Sequence, residues 1–199
     1  MFKRICKITF ITHGATVYSL DGIVYDGLKS PKINDLGEEE VESICQHLES
    51  RGVQYDRIYS SPYAYCTQTA QIIAKLFHQK VVSTNLKNRN HGDWQGQSLS
   101  DIIKENGIKT LIETPNNGES LVDFNKRVAE FIEQIIQENK GNRVIIVTTP
   151  EIVQSALAYT LQLSLENQFK MLIKTGSLTQ ISYFDGWSSV IYADYKSFS

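Results

Sequence analysis

Cysteine is scarce in this chain of 199 residues: Cys6, Cys45 and Cys66 are the only three. An odd count without close spacing argues against a disulfide framework and against a thiolate zinc site. Cys6 and Cys45 are expected to pack in a strand and a helix, in a reducing cytoplasm. An excess of either charge is also missing, since 20 Lys and Arg meet 22 Asp and Glu for a net charge of −2. No basic stripe appears, so nucleic acid is not an expected partner. No apolar run approaches the ~20 residues that a membrane span needs, so a membrane is not expected either. The opening Met1-Phe2-Lys3-Arg4-Ile5-Cys6 leads into a stretch broken by Lys7 and Thr9, which reads as a strand and not a signal peptide. Prolines are few, and Pro31, Pro62, Pro115 and Pro150 all fall between periodic segments, as loop punctuation should. What remains is ordinary core material. Hydrophobic residues at 41% and aromatics at 10% bury enough area to exclude general disorder. The length suits one domain over residues 1–199.

Ile5 to Ile11 is β-branched and aromatic and reads as a buried strand ending at Thr12-His13-Gly14. Residues 15–34, with Gly22 and Gly27, read as a long loop. Asp35 with Glu38 suggests a capping box, and Leu36, Val41, Ile44, Cys45 and Leu48 follow at helical spacing. Arg57 to Ser60 is a short strand, Ser61-Pro62 opens the next helix, and Val81-Val82 is a further short strand. Residues 86–97 form a loop, and Ser100 caps a brief helix through Ile103. Ser120 with Asp123 caps a long amphipathic helix. Arg143 to Thr148 reads as a central strand, with Thr149, Pro150 and Glu151 as N-cap, N1 and N2 of the helix after it. Leu178 to Phe184 and Ser189 to Ala193 flank Asp185-Gly186, a hairpin signal.

Strands alternating with helices indicate an α/β fold with a mostly parallel sheet and helices on both faces. Ligands bind such sheets beyond the carboxyl ends of the strands. Two places qualify: Thr12-His13-Gly14 and Thr148-Thr149-Pro150. Both precede loop or helix starts, where free N–H groups favour anions.

Five segments in order then resemble the histidine phosphatase superfamily, also called phosphoglycerate-mutase-like. They are Thr12-His13-Gly14-Ala15-Thr16, Ile33-Asn34-Asp35-Leu36-Gly37, Tyr59-Ser60-Ser61-Pro62 with Gln68-Thr69-Ala70, Gly92-Asp93-Trp94-Gln95-Gly96, and Gly118-Glu119-Ser120 with Arg127. The resemblance implies the family's fold with a C-terminal hairpin, and its chemistry. A histidine at His13 would attack a phosphoryl group, two arginines and a second histidine would hold its oxygens, and a carboxylate would protonate the leaving oxygen. Phosphoryl transfer rests on such positioning and charge stabilisation.

His13 is in place and its partners are not. The expected arginines fall at Thr12 and Tyr65, the acid at Asn88, and the second histidine at Thr149, with Pro150 in place of a glycine. Each change removes a charge or a titratable group. Hydrogen bonds to charged groups contribute roughly 1.5–3 kcal/mol each, so losing three such partners weakens phosphate binding by about 5–8 kcal/mol if the effects add. Loss of the acid costs a further ~10²–10⁴ in rate. Asn88 cannot supply a proton, and Thr149 can donate one hydrogen bond without charge. Arg89 and His91 are the nearby candidates for compensation, although a loop arginine is ordinarily solvated.

The expectation is therefore a degenerate member of the family, a pseudophosphatase that binds a ligand or protein. Its vestigial nucleophile position is His13, and its pocket residues are Thr12, Gly14, Thr16, Tyr65, Asn88 and Thr149. The alternative is a weak phosphomonoesterase working through phosphohistidine at His13. Trp94 and Tyr65 are expected near the pocket mouth. A hydrolase dyad of His13 with Ser61 or Thr149 lacks an orienting acid and an oxyanion motif. No cofactor and no metal are expected. The candidate partners are a phosphorylated small molecule, a protein or a second copy of the chain.

Overall fold

The computed structural model describes residues 3–25 and 30–196; Gly27, read above as part of a loop, lies outside them. Six strands form one sheet: β1 (Arg4–Thr12), β2 (Arg57–Ser60), β3 (Val81–Ser83), β4 (Arg143–Thr148), β5 (Leu178–Phe184) and β6 (Trp187–Tyr195). Their order is β3-β2-β4-β1-β5-β6. The first four are parallel neighbours, and β5 runs against both β1 and β6. β1 lies between β4 and β5, with Ile11 opposite Val147 on one side and Leu178 on the other.

Alternation along the strands divides the core. Ile8 and Phe10 of β1 and Val144 and Ile146 of β4 face α5 (Leu121–Glu138) and α6 (Pro150–Leu161), meeting Phe124, Val128, Ile132, Val153 and Leu157. Ile11, Ile145 and Val147 face the other way, onto α2 (Asp35–Ser50) and α3 (Ala64–Leu76), meeting Val41, Ile44, Ala70 and Ile73. A period of two on the strands and of 3.6 on the helices is sufficient for this layering.

Several boundaries depart from the expectations. Residues 15–34 are not loop throughout, because α1 occupies Val17–Asp21, capped by Thr16 and ended by Gly22 at φ 65°. The cap of α2 is Asn34, not Asp35: the Asn34 side chain accepts from Gly37 N, and Asp35 is already the first helical residue, where its charge suits the helix dipole. α3 begins at Ala64, two residues beyond Pro62. α4 spans Leu99–Asn106, so Ser98 takes the N-cap position and Ser100 lies inside the helix. A 3-10 turn at Ile108–Leu111 and the short α7 (Leu165–Gln168) carry no periodic signal at their length and were not expected. Ser120, Thr149, Pro150 and the Asp185-Gly186 turn stand where they were expected.

Candidate functional site

His13 follows β1 at the carboxyl end of the sheet. Its N–H donates to Thr148 O at 2.9 Å, and its carbonyl accepts from Gly176 N at 2.9 Å. The turn that follows is clamped from three sides. Gly14 N donates to Thr69 Oγ1 at 3.1 Å, and Ala15 N donates to the buried carboxylate of Glu40 at 2.8 Å. The backbone of α2 presses directly on it: a Cβ on Gly14 would stand 2.4 Å from Gly37 O, and one on Gly37 2.3 Å from Ala15 O. Both glycines are required by close approach of two backbones.

The His13 ring is 0% exposed. Its Nδ1 lies 2.8 Å from Gly14 O, a carbonyl that can only accept, so Nδ1 carries the proton. Nε2 then bears the lone pair, and it has no hydrogen-bond partner. Burial pushes the imidazole down to about 4, against which the Gly14 bond works only partly. At neutral pH the ring is uncharged.

Aromatic rings surround it. The Tyr65 ring lies 4.4 Å from the imidazole, tilted by 50°, and the Tyr25 ring meets it edge-on at 5.9 Å. Tyr25 and Tyr65 are 4.9 Å apart, and Tyr63 stacks on Tyr65 at 5.2 Å. The Tyr25 hydroxyl is 2.8 Å from Thr16 Oγ1, which anchors the ring over the histidine, and burial pushes its phenol up to about 12. Burial, together with Cys66 and Tyr25, holds the Tyr65 phenol far above its usual range.

Three of the expected pocket residues satisfy one another. Thr149 Oγ1 donates to Asn88 Oδ1 at 2.8 Å, and Asn88 Nδ2 donates to Tyr65 Oη at 3.2 Å. The chain Thr149–Asn88–Tyr65 is neutral from end to end. Thr12 is adjacent in sequence but turned elsewhere: its hydroxyl donates to Lys174 O at 2.7 Å and accepts from Ser177 N at 2.8 Å, stitching β1 to the start of β5. Thr16 caps α1, and Gly14 contributes its backbone. Ser61 Oγ is 2.8 Å from Thr148 Oγ1, a contact that occupies it away from His13.

Arg89 is not a solvated loop residue. It is 3% exposed, and its guanidinium donates to three backbone carbonyls, those of Leu111, Glu113 and Glu119. The fork geometry of arginine suits such a three-way tie. His91 Nε2 stands 3.1 Å from Glu151 at the start of α6. Arg127 chelates Glu119 at 2.6 and 2.8 Å and donates to the carbonyls of Lys87 and Asn88, so the Gly-Glu-Ser…Arg segment holds the loop that presents Asn88. Glu40, Tyr25 and Tyr63 were not singled out from the sequence. An acidic residue on a helix and tyrosines in a loop carry no periodic or motif signal.

Above these groups opens a cavity of about 690 Å³, whose lining includes His13, Asn88, Thr149, Glu151, Trp94 and Tyr25. Trp94 stands at the cavity as expected; Tyr65, expected beside it at the mouth, is instead fully buried, and of the expected pocket residues Asn88 and Thr149 line the cavity while Thr12, Gly14, Thr16 and Tyr65 do not. No cluster of metal-ligating side chains occurs among the described residues, and no helix there is long and apolar enough to cross a membrane.

A family model described as histidine phosphatase superfamily (branch 1) matches residues 8–193. The chain is 26% identical to phosphoglycerate mutase-like protein 4 of Arabidopsis thaliana, over 94% of this chain and 85% of the relative. It is 25% identical to a broad-specificity phosphatase of Saccharomyces cerevisiae, over 91% of this chain and 81% of the relative. In fold it is similar to a phosphoserine phosphatase from Entamoeba histolytica solved with 3-phosphoglyceric acid, with a TM-score of 0.85 at 18% identity, covering 96% of this chain and 98% of that one. Bacillus stearothermophilus YhfR superposes with a TM-score of 0.86 at 21% identity over the same shares.

Proposed function

From the premise that this chain belongs to branch 1 of the histidine phosphatase superfamily, we propose that it is a pseudophosphatase, a ligand-binding member that does not turn over phosphomonoesters. One observation carries the reading. The imidazole at the nucleophile position is fully buried against Tyr25 and Tyr65, where active relatives would place a phosphoryl group and the cations that hold it. Attack on phosphorus needs an in-line approach to Nε2 and fixed positive charge on the equatorial oxygens. Here the rings against the imidazole are two phenols, and the Asn88–Thr149 pair that lines the same cavity is neutral. The two candidate replacements are engaged, Arg89 with three carbonyls and His91 with Glu151. A leaving alkoxide would find no carboxylic acid at Asn88.

The second reading, a weak phosphomonoesterase, draws on one observation of its own. His13 has the protonation state that a nucleophile needs, with Nδ1–H donated to a carbonyl and Nε2 bare. Movement of Tyr25 would then have to precede every turnover. Hydrolysis of p-nitrophenyl phosphate by wild type and His13→Ala separates the two readings. The pseudophosphatase reading expects the two proteins to match at background. Any rate above background that vanishes in His13→Ala overturns it, however far below the enzyme median of about 10 s⁻¹ it lies.

A further inference from the structure

The cavity over His13 is wide at its mouth, and its rim is built of leucine. Leu20, Leu36, Leu99 and Leu172 all line it, yet they are 59%, 43%, 38% and 70% exposed. They come from four separate parts of the chain: α1, α2, α4 and the segment before β5. Single exposed leucines are ordinary, but four around one concavity mark a place where apolar surface is to be covered. Deeper in, Ile23, Ile103, Leu111 and Ile173 continue the apolar wall.

The charged groups of the interior already have partners, two in ion pairs and Arg89 through hydrogen bonds alone. Glu40 Oε1 meets Lys196 Nζ at 2.7 Å, Glu151 meets His91, and Arg89 is spent on carbonyls. Lys174 stands exposed at the edge, where water screens it. The floor offers a different chemistry. Asn88 is half-buried and uses one amide hydrogen on Tyr65 and one lone pair of Oδ1 on Thr149. A carboxamide has two of each. One donor and one acceptor therefore remain for a guest.

We infer that this cavity binds an uncharged small molecule with an apolar, ring-containing or aliphatic body and one hydroxyl or amide head, the body seated among Leu20, Leu99 and Leu172 and the head bonded to Asn88. The inference rests on the pseudophosphatase reading, because it assigns the ancestral phosphate position to a neutral group. A volume of about 690 Å³ lies inside the usual range of roughly 300–1,000 Å³ for small-molecule sites, and an apolar lining with few polar anchors is their usual make-up. A phosphorylated ligand would bring a dianion over leucine, with Arg89 as a fixed cation whose N–H groups are already committed to three carbonyls.

N-phenyl-1-naphthylamine is a suitable probe: neutral, apolar, with one N–H and fluorescence that rises out of water. The expected result is saturable binding of one probe per chain. Leu99→Asp and Leu172→Asp, both at exposed positions, should each weaken it at least tenfold. Asn88→Leu should weaken it severalfold, and Leu161→Asp, an exposed apolar position at the far end of α6, should leave it unchanged. Millimolar orthovanadate should not displace the probe. Equal binding by the rim variants, several equivalent probe sites, or displacement by vanadate each overturns the inference. The phosphatase assay separates the two failures. Turnover dependent on His13 defeats the pseudophosphatase reading whatever the probe does, whereas absent turnover with absent probe binding defeats this inference alone.

Discussion

Removing an imidazole from water has a sign that can be measured. The pKa of His13 is near 4 in the folded protein, against 6.5 in an unfolded chain, because burial disfavours the cation. Below pH 6.5 the unfolded chain takes up a proton that the native site refuses. The contribution to stability is therefore complete above pH 6.5, falls as pH drops from 6.5 to 4, and changes no further below that. Over the whole window the loss amounts to about 3 kcal/mol, since each pKa unit corresponds to roughly 1.4 kcal/mol. His13→Gln cannot titrate, and urea unfolding of the two proteins at intervals between pH 4 and 7 should give a flatter profile for the variant. Parallel profiles would mean that the native ring is protonated as readily as the unfolded one.

At the scale of elements, the glycine of the Asn34-Asp35-Leu36-Gly37 start is a spacer between backbones. Gly37→Ala places a methyl 2.3 Å from Ala15 O and 2.7 Å from Ala15 N, atoms that cannot swing aside. The turn carrying His13 or the first turn of α2 must move, at a cost of about 3 kcal/mol, the upper part of the range for overpacking. Asn34→Ala removes only a cap and should cost about 1 kcal/mol. Thermal denaturation of both variants checks the order, and a Gly37→Ala protein as stable as Asn34→Ala would mean that the two elements slide freely. Arg89 serves a different element, the irregular stretch over residues 108–120. Arg89→Leu leaves three carbonyls unmet, each worth about 1–3 kcal/mol when buried, so this stretch should lose protection first. Hydrogen–deuterium exchange followed by mass spectrometry should show faster labelling over 108–120 with β1 and β4 unchanged. Uniform labelling of all regions would make Arg89 a general rather than a local tie.

For the whole molecule, the layers were legible and the filling of the site was not. Runs such as Val144-Ile145-Ile146-Val147 can only be strand core, and the helical spacing of Leu121, Phe124, Val128 and Ile132 names the face that covers it. Missing charges at Thr12, Tyr65, Asn88 and Thr149 were equally plain. What replaced them was hidden, because a hydrogen bond from Thr149 to Asn88 spans 61 residues and a phenol may turn inward or outward from the same helix position. Arg89 was misread because arginine defaults to solvent and carbonyl acceptors leave no mark in a sequence. Thr149, Asn88 and Tyr65 are joined in one hydrogen-bonded chain, so partial replacement should do little. Thr12→Arg, Tyr65→Arg, Asn88→Glu and Thr149→His together should recover weak vanadate binding. Adding Pro150→Gly should tighten it roughly tenfold, the value of one good hydrogen bond, since Pro150 is the N1 residue of α6 and offers no N–H to an anion. Isothermal titration compares the two sets, and equal affinity would make Pro150 an innocent cap.

The place of β1 in the sheet sets a timetable. Its neighbours are Val144–Thr148 and Leu178–Phe184, and Ile11 precedes its partner Leu178 by 167 residues, all of which must be translated before the two can meet. At 5–20 residues per second that interval is on the order of 10–30 s. Throughout it, Ile8-Thr9-Phe10-Ile11 waits as an unpaired, uncharged β-prone segment, the kind of stretch that associates with its own copies. His13, at the end of β1, thus emerges before both strands that house it, and soluble yield from crowded polysomes should depend on a holding chaperone.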